Sequence, residues 1–285
     1  MTKNNKFTRR AVLKRLAPVL VLTPGIRFPF SLFSNSAGKE GFIDLFDGRS
    51  LSGWHTNRQK SVHGTGGRWQ VQDGILTGEQ DPPGSGNGGI LMTDQTFGDF
   101  ELMLDLAPDW GVDSGVFLRT TPDGQCFQVY VDYHDNGHIG SVSTETSDGR
   151  NRMINRPFNI YGLFDQDGNL NGFETRPDAR DHAKRPDSLL YQCTPEQWKS
   201  AWKIGEWNTL RIRCTGKYPR ITTWINNTKI VDFDGETSPH PRYDKEQLFG
   251  ILGREGSIGL QVHGGQSMWP EGARCRWKNI RIKPL

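Results

Sequence analysis

Several side chains stand where strand alternation could gather them into one working site. Gln128, Tyr130 and Asp132 alternate with Phe127, Val129 and Val131, so the three share one face of a strand. Gln261 and His263 alternate in the same way with Ile258, Leu260 and Val262. Arg119 closes a strand that opens at Ser114-Gly115, and Trp224 alternates with Thr223 and Ile225. On one sheet face, Gln128, Asp132, Gln261, His263, Arg119 and Trp224 provide acid/base groups, hydrogen-bonding groups and an aromatic platform. A sugar needs that mixture, with polar partners for its hydroxyls and a ring for its C–H face. Alternating polar residues also describe the solvated face of any antiparallel sheet, and that reading competes at each position. Trp224 on a polar face favours binding, because a large apolar surface there calls for a cover. His263 sits where Gln261-Val262-His263-Gly264-Gly265 leaves a strand and opens a loop.

The elements that must position these groups are short strands between turn residues. Residues 68–72 and 74–77 meet through Asp73-Gly74, a strong hairpin signal. Phe100, Leu102, Leu104 and Leu106 alternate with Glu101, Met103 and Asp105. Further strands are expected at 42–46, 116–119, 127–133, 207–214, 220–225, 229–233, 257–263 and 274–283, with Asn226-Asn227 as a two-residue turn. Such spacing predicts an all-β fold, an antiparallel two-sheet jelly-roll sandwich over residues 41–285. Residues 143–204 break the rhythm and read as a long inserted loop over one rim. Within them Thr194-Pro195-Glu196-Gln197 carries the signature of a capped helix start.

Residues 1–36 read as an address. Arg9-Arg10 precedes an apolar stretch interrupted by Pro18, Pro24 and Arg27, followed by small residues at Ser34-Asn35-Ser36. This is the form of a twin-arginine signal peptide, so a periplasmic or extracellular location is expected. The stretch is too short and too interrupted for a membrane span, and no transmembrane segment is expected in the mature protein. Seven of the 35 basic residues and none of the 32 acidic ones fall in residues 1–36. The remainder is therefore acidic on balance, with 28 basic residues against 32 acidic ones, and nucleic acid is not an expected partner. The four cysteines (Cys126, Cys193, Cys214, Cys275) could pair or stay as buried thiols, and none has a metal-ligand spacing.

Three motifs resemble known sites. Gly84-Ser85-Gly86-Asn87-Gly88-Gly89 follows Pro82-Pro83 and opens no helix, so it reads as a flexible loop rather than a nucleotide site. Asp165-Gln166-Asp167-Gly168-Asn169 lacks the sixth-position glycine and twelfth-position glutamate of an EF-hand. His134, Asp135 and His138 leave a divalent metal open, although Tyr-His-Asp-Asn-Gly is also an ordinary hairpin turn.

Six segments together resemble the 3-keto-disaccharide hydrolase domain family. They are Ile43-Asp44-Leu45-Phe46-Asp47-Gly48 with Leu51-Ser52-Gly53-Trp54, the run from Trp69 to Leu76, the run from Phe97 to Leu102, Ser114-Gly115-Val116-Phe117-Leu118-Arg119, Gly205-Glu206-Trp207-Asn208, and Gly259-Leu260-Gln261-Val262-His263-Gly264. The resemblance implies a concanavalin A-like jelly roll, a saccharide or glycoside ligand, and cleavage of glycosides oxidised to a ketone at C3. Where many members carry an acidic residue on the strand here reading Cys126 to Asp132, this chain has Gln128. A 3-keto group acidifies the C2 hydrogen, so the implied chemistry needs a base, a donor for the departing oxygen and support for the enolate. His263 or Asp132 is expected as base, His134 as acid or metal ligand, and Arg119 at the oxyanion. Gln128, Tyr130, Gln261, Trp224 and Glu101 are expected to bind substrate. Direct hydrolysis by Glu101 and Asp132 is the alternative mechanism, and a non-catalytic lectin-like module is the alternative function. No organic cofactor is expected.

Overall fold

The computed structural model describes residues 41–59, 63–149, 153–178 and 188–285. The signal-peptide expectation lies outside them. The alternation seen in the sequence becomes two faces. Phe100, Leu102, Leu104 and Leu106 are wholly buried, whereas Glu101, Met103 and Asp105 between them are partly exposed.

The strands are, in chain order, β1 (Ile43–Asp44), β2 (Trp54–Thr56), β3 (Arg68–Gln72), β4 (Ile75–Glu79), β5 (Gly89–Phe97), β6 (Phe100–Pro108), β7 (Gly115–Thr120), β8 (Cys126–Val131) and β9 (Ile139–Glu145). Then come β10 (Ile154–Asn155), β11 (Phe158–Phe164), β12 (Leu170–Pro177), β13 (Tyr191–Gln192), helix α1 (Pro195–Ala201), β14 (Asn208–Thr215), β15 (Arg220–Ile225) and β16 (Thr228–Asp234). Helix α2 (Lys245–Leu252), β17 (Gly256–Val262) and β18 (Cys275–Pro284) close the chain.

All pairings between these strands are antiparallel. One sheet of nine strands runs β13-β16-β15-β14-β6-β18-β4-β3, with β1 also on β18. A sheet of seven runs β10-β9-β8-β7-β17-β5-β2, and β11 and β12 form a separate hairpin. Val116, Leu118, Val129, Val131, Leu260 and Val262 from the seven-stranded sheet share one hydrophobic core with Leu102, Leu104, Leu210, Ile212 and Ile282 from the nine-stranded one. The protein is an all-β two-sheet sandwich. Every described residue belongs to one unit, Ser36–Leu285, and no helix among the described residues is long and apolar enough to cross a membrane.

Local turn chemistry does what the sequence signals. Asp73 and Gly74 both take positive φ (51° and 79°) between β3 and β4. Asn226 and Asn227 do the same (46° and 70°) between β15 and β16. Thr194 caps α1: its hydroxyl accepts the Gln197 N–H, and the Gln197 side chain accepts the Thr194 N–H at 2.8 Å. The Asp165 carboxylate accepts N–H groups of Asp167 and Asn169 (3.0 and 2.8 Å), so it serves the turn of the β11–β12 hairpin. All four cysteines are buried free thiols.

Residues 143–204 correct the expectation of a rim loop. They supply β10 to the seven-stranded sheet, β13 to the nine-stranded one, the β11–β12 hairpin and α1. Met153, Phe158, Ile160, Phe173, Trp198 and Trp202 from this stretch are buried in the main core. Phe158 and Ile160 do alternate in the run 158–164, a strand signal that the polar composition of the rest of the stretch masks.

Candidate active site

The site forms where β8 leaves the seven-stranded sheet. Asp132 and His134 lie in the turn to β9, closed by a bond from the Gly137 N–H to the His134 carbonyl (2.9 Å). Gly137 is required there, since a Cβ would lie 2.3 Å from the Asp132 carbonyl oxygen. Just before β7, Val112 bridges to Tyr133, which turns Asp113 to the same side as Asp132 and His134. Donor atoms of Asp113, Asp132 and His134 all fall within 4.8 Å of one another. His134 Nε2 is 3.5 Å from Asp113 Oδ2. These are the residues that could hold a metal.

Two carboxylates this close and this buried (8 % and 1 % exposed) cannot both ionise freely. Burial raises the pKa of Asp132 well above the carboxylate range, the charge of Asp113 adds to the rise, and Arg156 opposes it without prevailing. Burial acts on Asp113 as well, but a hydrogen bond from His134 and the charges of His263 and His134 outweigh it and bring Asp113 below the usual value.

His263 stands at the end of the neighbouring strand β17. Its Nδ1 bonds the Gly264 carbonyl, which can only accept, so Nδ1 carries the proton and the lone pair lies on Nε2. The glycine-rich loop at 84–89, expected to be flexible, is what holds this segment. Wholly buried Gln80 donates to the carbonyls of His263 (2.9 Å) and Gly265 (3.1 Å) and accepts the Gly86 N–H (2.9 Å). At Gly88 a Cβ would sit 2.2 Å from the Val262 carbonyl oxygen and 2.6 Å from the Gly264 nitrogen. The loop is a backbone plate pressed on the strand end. Gly88→Ala is therefore expected to destabilise the protein by about 2 kcal/mol or more, the scale of overpacking against unyielding neighbours. Chemical denaturation measures it, and an unchanged midpoint would show the loop to be free.

Between these two ends lies a polar floor. Gln128 donates to Gln261 (3.1 Å), Gln261 meets His63 (3.1 Å), and the Ser143 hydroxyl donates to Gln128 (3.4 Å). Tyr130 lies on the same face, with the Arg156 guanidinium over its ring at 4.6 Å. Arg156 also donates to Asp132 Oδ2 (2.6 Å) and to the Asn136 carbonyl (2.8 Å). On the opposite, core-facing side of the same turn, Tyr133 packs on Trp110 (5.0 Å) and Trp202 (5.1 Å), and Trp202 stacks on Trp198 at 5.7 Å. Trp198 and Trp202 of this aromatic wall come from the inserted stretch.

Asp132, His134, His263, Gln128, Tyr130 and Gln261 are thus brought to one face. Three expected site residues are not. Arg119 takes a positive φ of 50° beside an irregularity in β7–β17 pairing, at the end of β7 away from Asp113. Its fully buried guanidinium is spent on the carbonyls of Gly98, Gly216 and Lys217 and on Asp99. Trp224 belongs to the nine-stranded sheet, under the Arg211 guanidinium at 4.1 Å. Glu101 is on that sheet too, paired with Arg211 at 3.3 Å, so it cannot form a carboxylate pair with Asp132. Sequence reasoning missed Asp113, although alternation continued back from Phe117 and Gly115 puts it on the site face. Arg156 and Gln80 gave no such signal.

A sandwich that lines one end of a sheet with carboxylates, imidazoles and amides has the form of a carbohydrate-active β-protein. The chain belongs to the family of 3-keto-alpha-glucoside-1,2-lyase-like domains, whose profile matches residues 41–283. A relative described as a 3-keto-disaccharide hydrolase, from Bacteroides thetaiotaomicron, is 24% identical over 269 residues, covering 86% of this chain and 79% of the relative. Among solved structures, a carbohydrate binding module from Bacillus subtilis is 13% identical, with a TM-score of 0.44 over 81% of this chain and 95% of that one. A Bacillus licheniformis beta-glucanase is 10% identical, with a TM-score of 0.42 over 87% of this chain and 100% of that one.

Proposed function

We propose that this protein cleaves 3-keto glycosides by removal of the C2 proton and elimination of the C1 substituent, followed by addition of water. The observation that carries this reading is the placement of His263, with its lone pair on Nε2, beside the Asp113–Asp132–His134 cluster in a chain of this family. The ketone makes the C2 hydrogen acidic, so an imidazole is a strong enough base to take it. As the C2–H bond breaks, its electron pair forms the C1=C2 double bond, and the C1–O bond breaks with its pair going to oxygen. The imidazolium that results can return the proton to that departing oxygen. Water then adds at C1. Charge builds on the C3 oxygen during proton removal and needs an electrophile beside it. Asp113, Asp132 and His134 are the groups that can hold one. Gln128, Gln261 and Tyr130 supply donors and acceptors for the sugar hydroxyls.

The test is isotopic. A 3-keto glucoside deuterated at C2 is expected to lose its label to water during turnover and to react more slowly than the protiated sugar. Direct displacement at C1 retains the label, and retention would overturn elimination. Binding of the sugar with no turnover at all would favour a lectin-like role.

A further inference from the structure

We infer that the outer face of the nine-stranded sheet, turned away from the candidate active site, binds a linear anionic polysaccharide. The strand register sets its charges in rows. Arg213 and Lys283 stand on either side of Glu101, Arg211 and Arg281 on either side of Met103, and Lys278 beside Asp105. Leu102, Leu104 and Leu106, which alternate with these β6 residues, are wholly buried, so the rows point outward. Cations on β14 and β18 thus form two columns roughly 10 Å apart, or two strand spacings. Asp44 on β1, opposite Arg281, adds one acidic group at the edge. The face is basic in a chain that is acidic on balance outside residues 1–36.

The second observation is that most of these cations are unspent. Other basic groups of the same sheet are paired, Arg276 with Asp109 (2.7 Å) and both Arg220 and Lys229 with Asp232 (2.8 and 2.6 Å). Arg213, Lys278, Arg281 and Lys283 form no ion pair with a carboxylate among the described residues. Aromatic rings hold several cations in place. Arg211 lies 4.1 Å from the Trp224 ring, Lys278 4.1 Å from Trp207 and Arg281 5.4 Å from Phe42. Cations fixed in this way lose less freedom when an anion binds. A flat face with two columns of charge suits an extended polymer, and guanidinium groups pair with carboxylate or sulfate in a forked geometry. The exposed large apolar residues of the described chain, Leu163, Phe164, Leu190 and Leu285, all lie outside the strands of this face. It therefore has no such side chain to insert into a lipid surface. The choice of a polysaccharide rests on the glucoside family to which the chain belongs, whereas the anion site does not rest on the 3-keto reading.

The full chain is titrated into fluorescein-labelled polygalacturonate, and into labelled dextran as a neutral polymer, while anisotropy is followed. Saturable binding of polygalacturonate that weakens as salt rises is expected, with none of dextran. Residues 1–36 carry seven basic side chains of their own, so the variants decide. Arg213→Glu with Arg281→Glu should weaken binding by about tenfold or more and flatten its salt dependence. Lys199→Glu with Arg242→Glu makes the same change in net charge away from this face and should keep most of the affinity. Thermal unfolding checks the fold, and Arg213→Gln with Arg281→Gln decides if the charge reversal unfolds the protein. Absence of saturable binding, equal binding of dextran, or equal losses in the two glutamate pairs would overturn the site. Tighter binding to a DNA duplex or to phosphatidylglycerol vesicles would overturn the choice of a polysaccharide. Turnover of a 3-keto glycoside should be the same in all these proteins, and its absence from every one of them would overturn the catalytic reading alone.

Discussion

Replacing His263 with alanine is expected to lower kcat for a 3-keto glycoside by about a hundredfold or more, the usual scale for losing a proton-transfer group. The fold should be untouched. The clamp on this segment acts through backbone, because Gln80 holds the His263 carbonyl and Gly88 packs against the Val262 carbonyl and the Gly264 nitrogen. Alanine keeps all of these. The loss should therefore fall on kcat with little change in KM, as expected when a group acts mainly in the transition state. Added imidazole should restore part of the rate by filling the space the ring vacates. Trp224→Ala is expected to change neither parameter, because that ring lies on the other sheet beneath Arg211. If His263→Ala retained most of the wild-type rate, or Trp224→Ala were the more damaging change, the base would have to be sought elsewhere.

Arg156→Met is expected to cost roughly 1.5–3 kcal/mol of stability, the range for losing a buried hydrogen bond to a charged group. The guanidinium is nine-tenths buried, stacked on Tyr130 and bonded to Asp132 and the Asn136 carbonyl. Without it two buried carboxylates face each other with no cation on that side. Methionine keeps much of the volume, so the loss reports charge and hydrogen bonds rather than a cavity. Arg156→Lys should lie between, since an ammonium supplies charge but not the planar fork that reaches both acceptors. A double-mutant cycle in chemical denaturation settles the point: with Asp132→Asn already present, Arg156→Met should cost measurably less. Strictly additive losses would mean that Arg156 stabilises the turn through Asn136 and Tyr130 rather than through Asp132.

Much of this protein was legible along the chain because the relevant physics is local. Side chains two apart share a face, so Gln128, Tyr130 and Asp132 had to point together, as did Gln261 and His263. Paired residues of positive φ had to make the turns at Asp73-Gly74 and Asn226-Asn227, and the capping box had to start a helix after Thr194. The tertiary structure decided which strands share a sheet. Alternation gives Trp224, Glu101 and Gln128 the same kind of polar face and carries no information about which strand lies beside which. Sheet order settles that, through pairings between residues far apart in sequence, and it sends β15 and β6 to one sheet and β8 and β17 to the other. Tertiary pairing also overrode the period where the backbone departs from it. Arg119 leaves its expected face at a positive φ, whereas Asp113 keeps the period through the Val112–Tyr133 bridge although it lies outside any strand. Arg156 follows β10, and the pairing of that strand with β9 is what brings its charge beside Asp132. A residue whose role is to neutralise a buried charge is marked by its partner, and no pattern in the sequence names the partner.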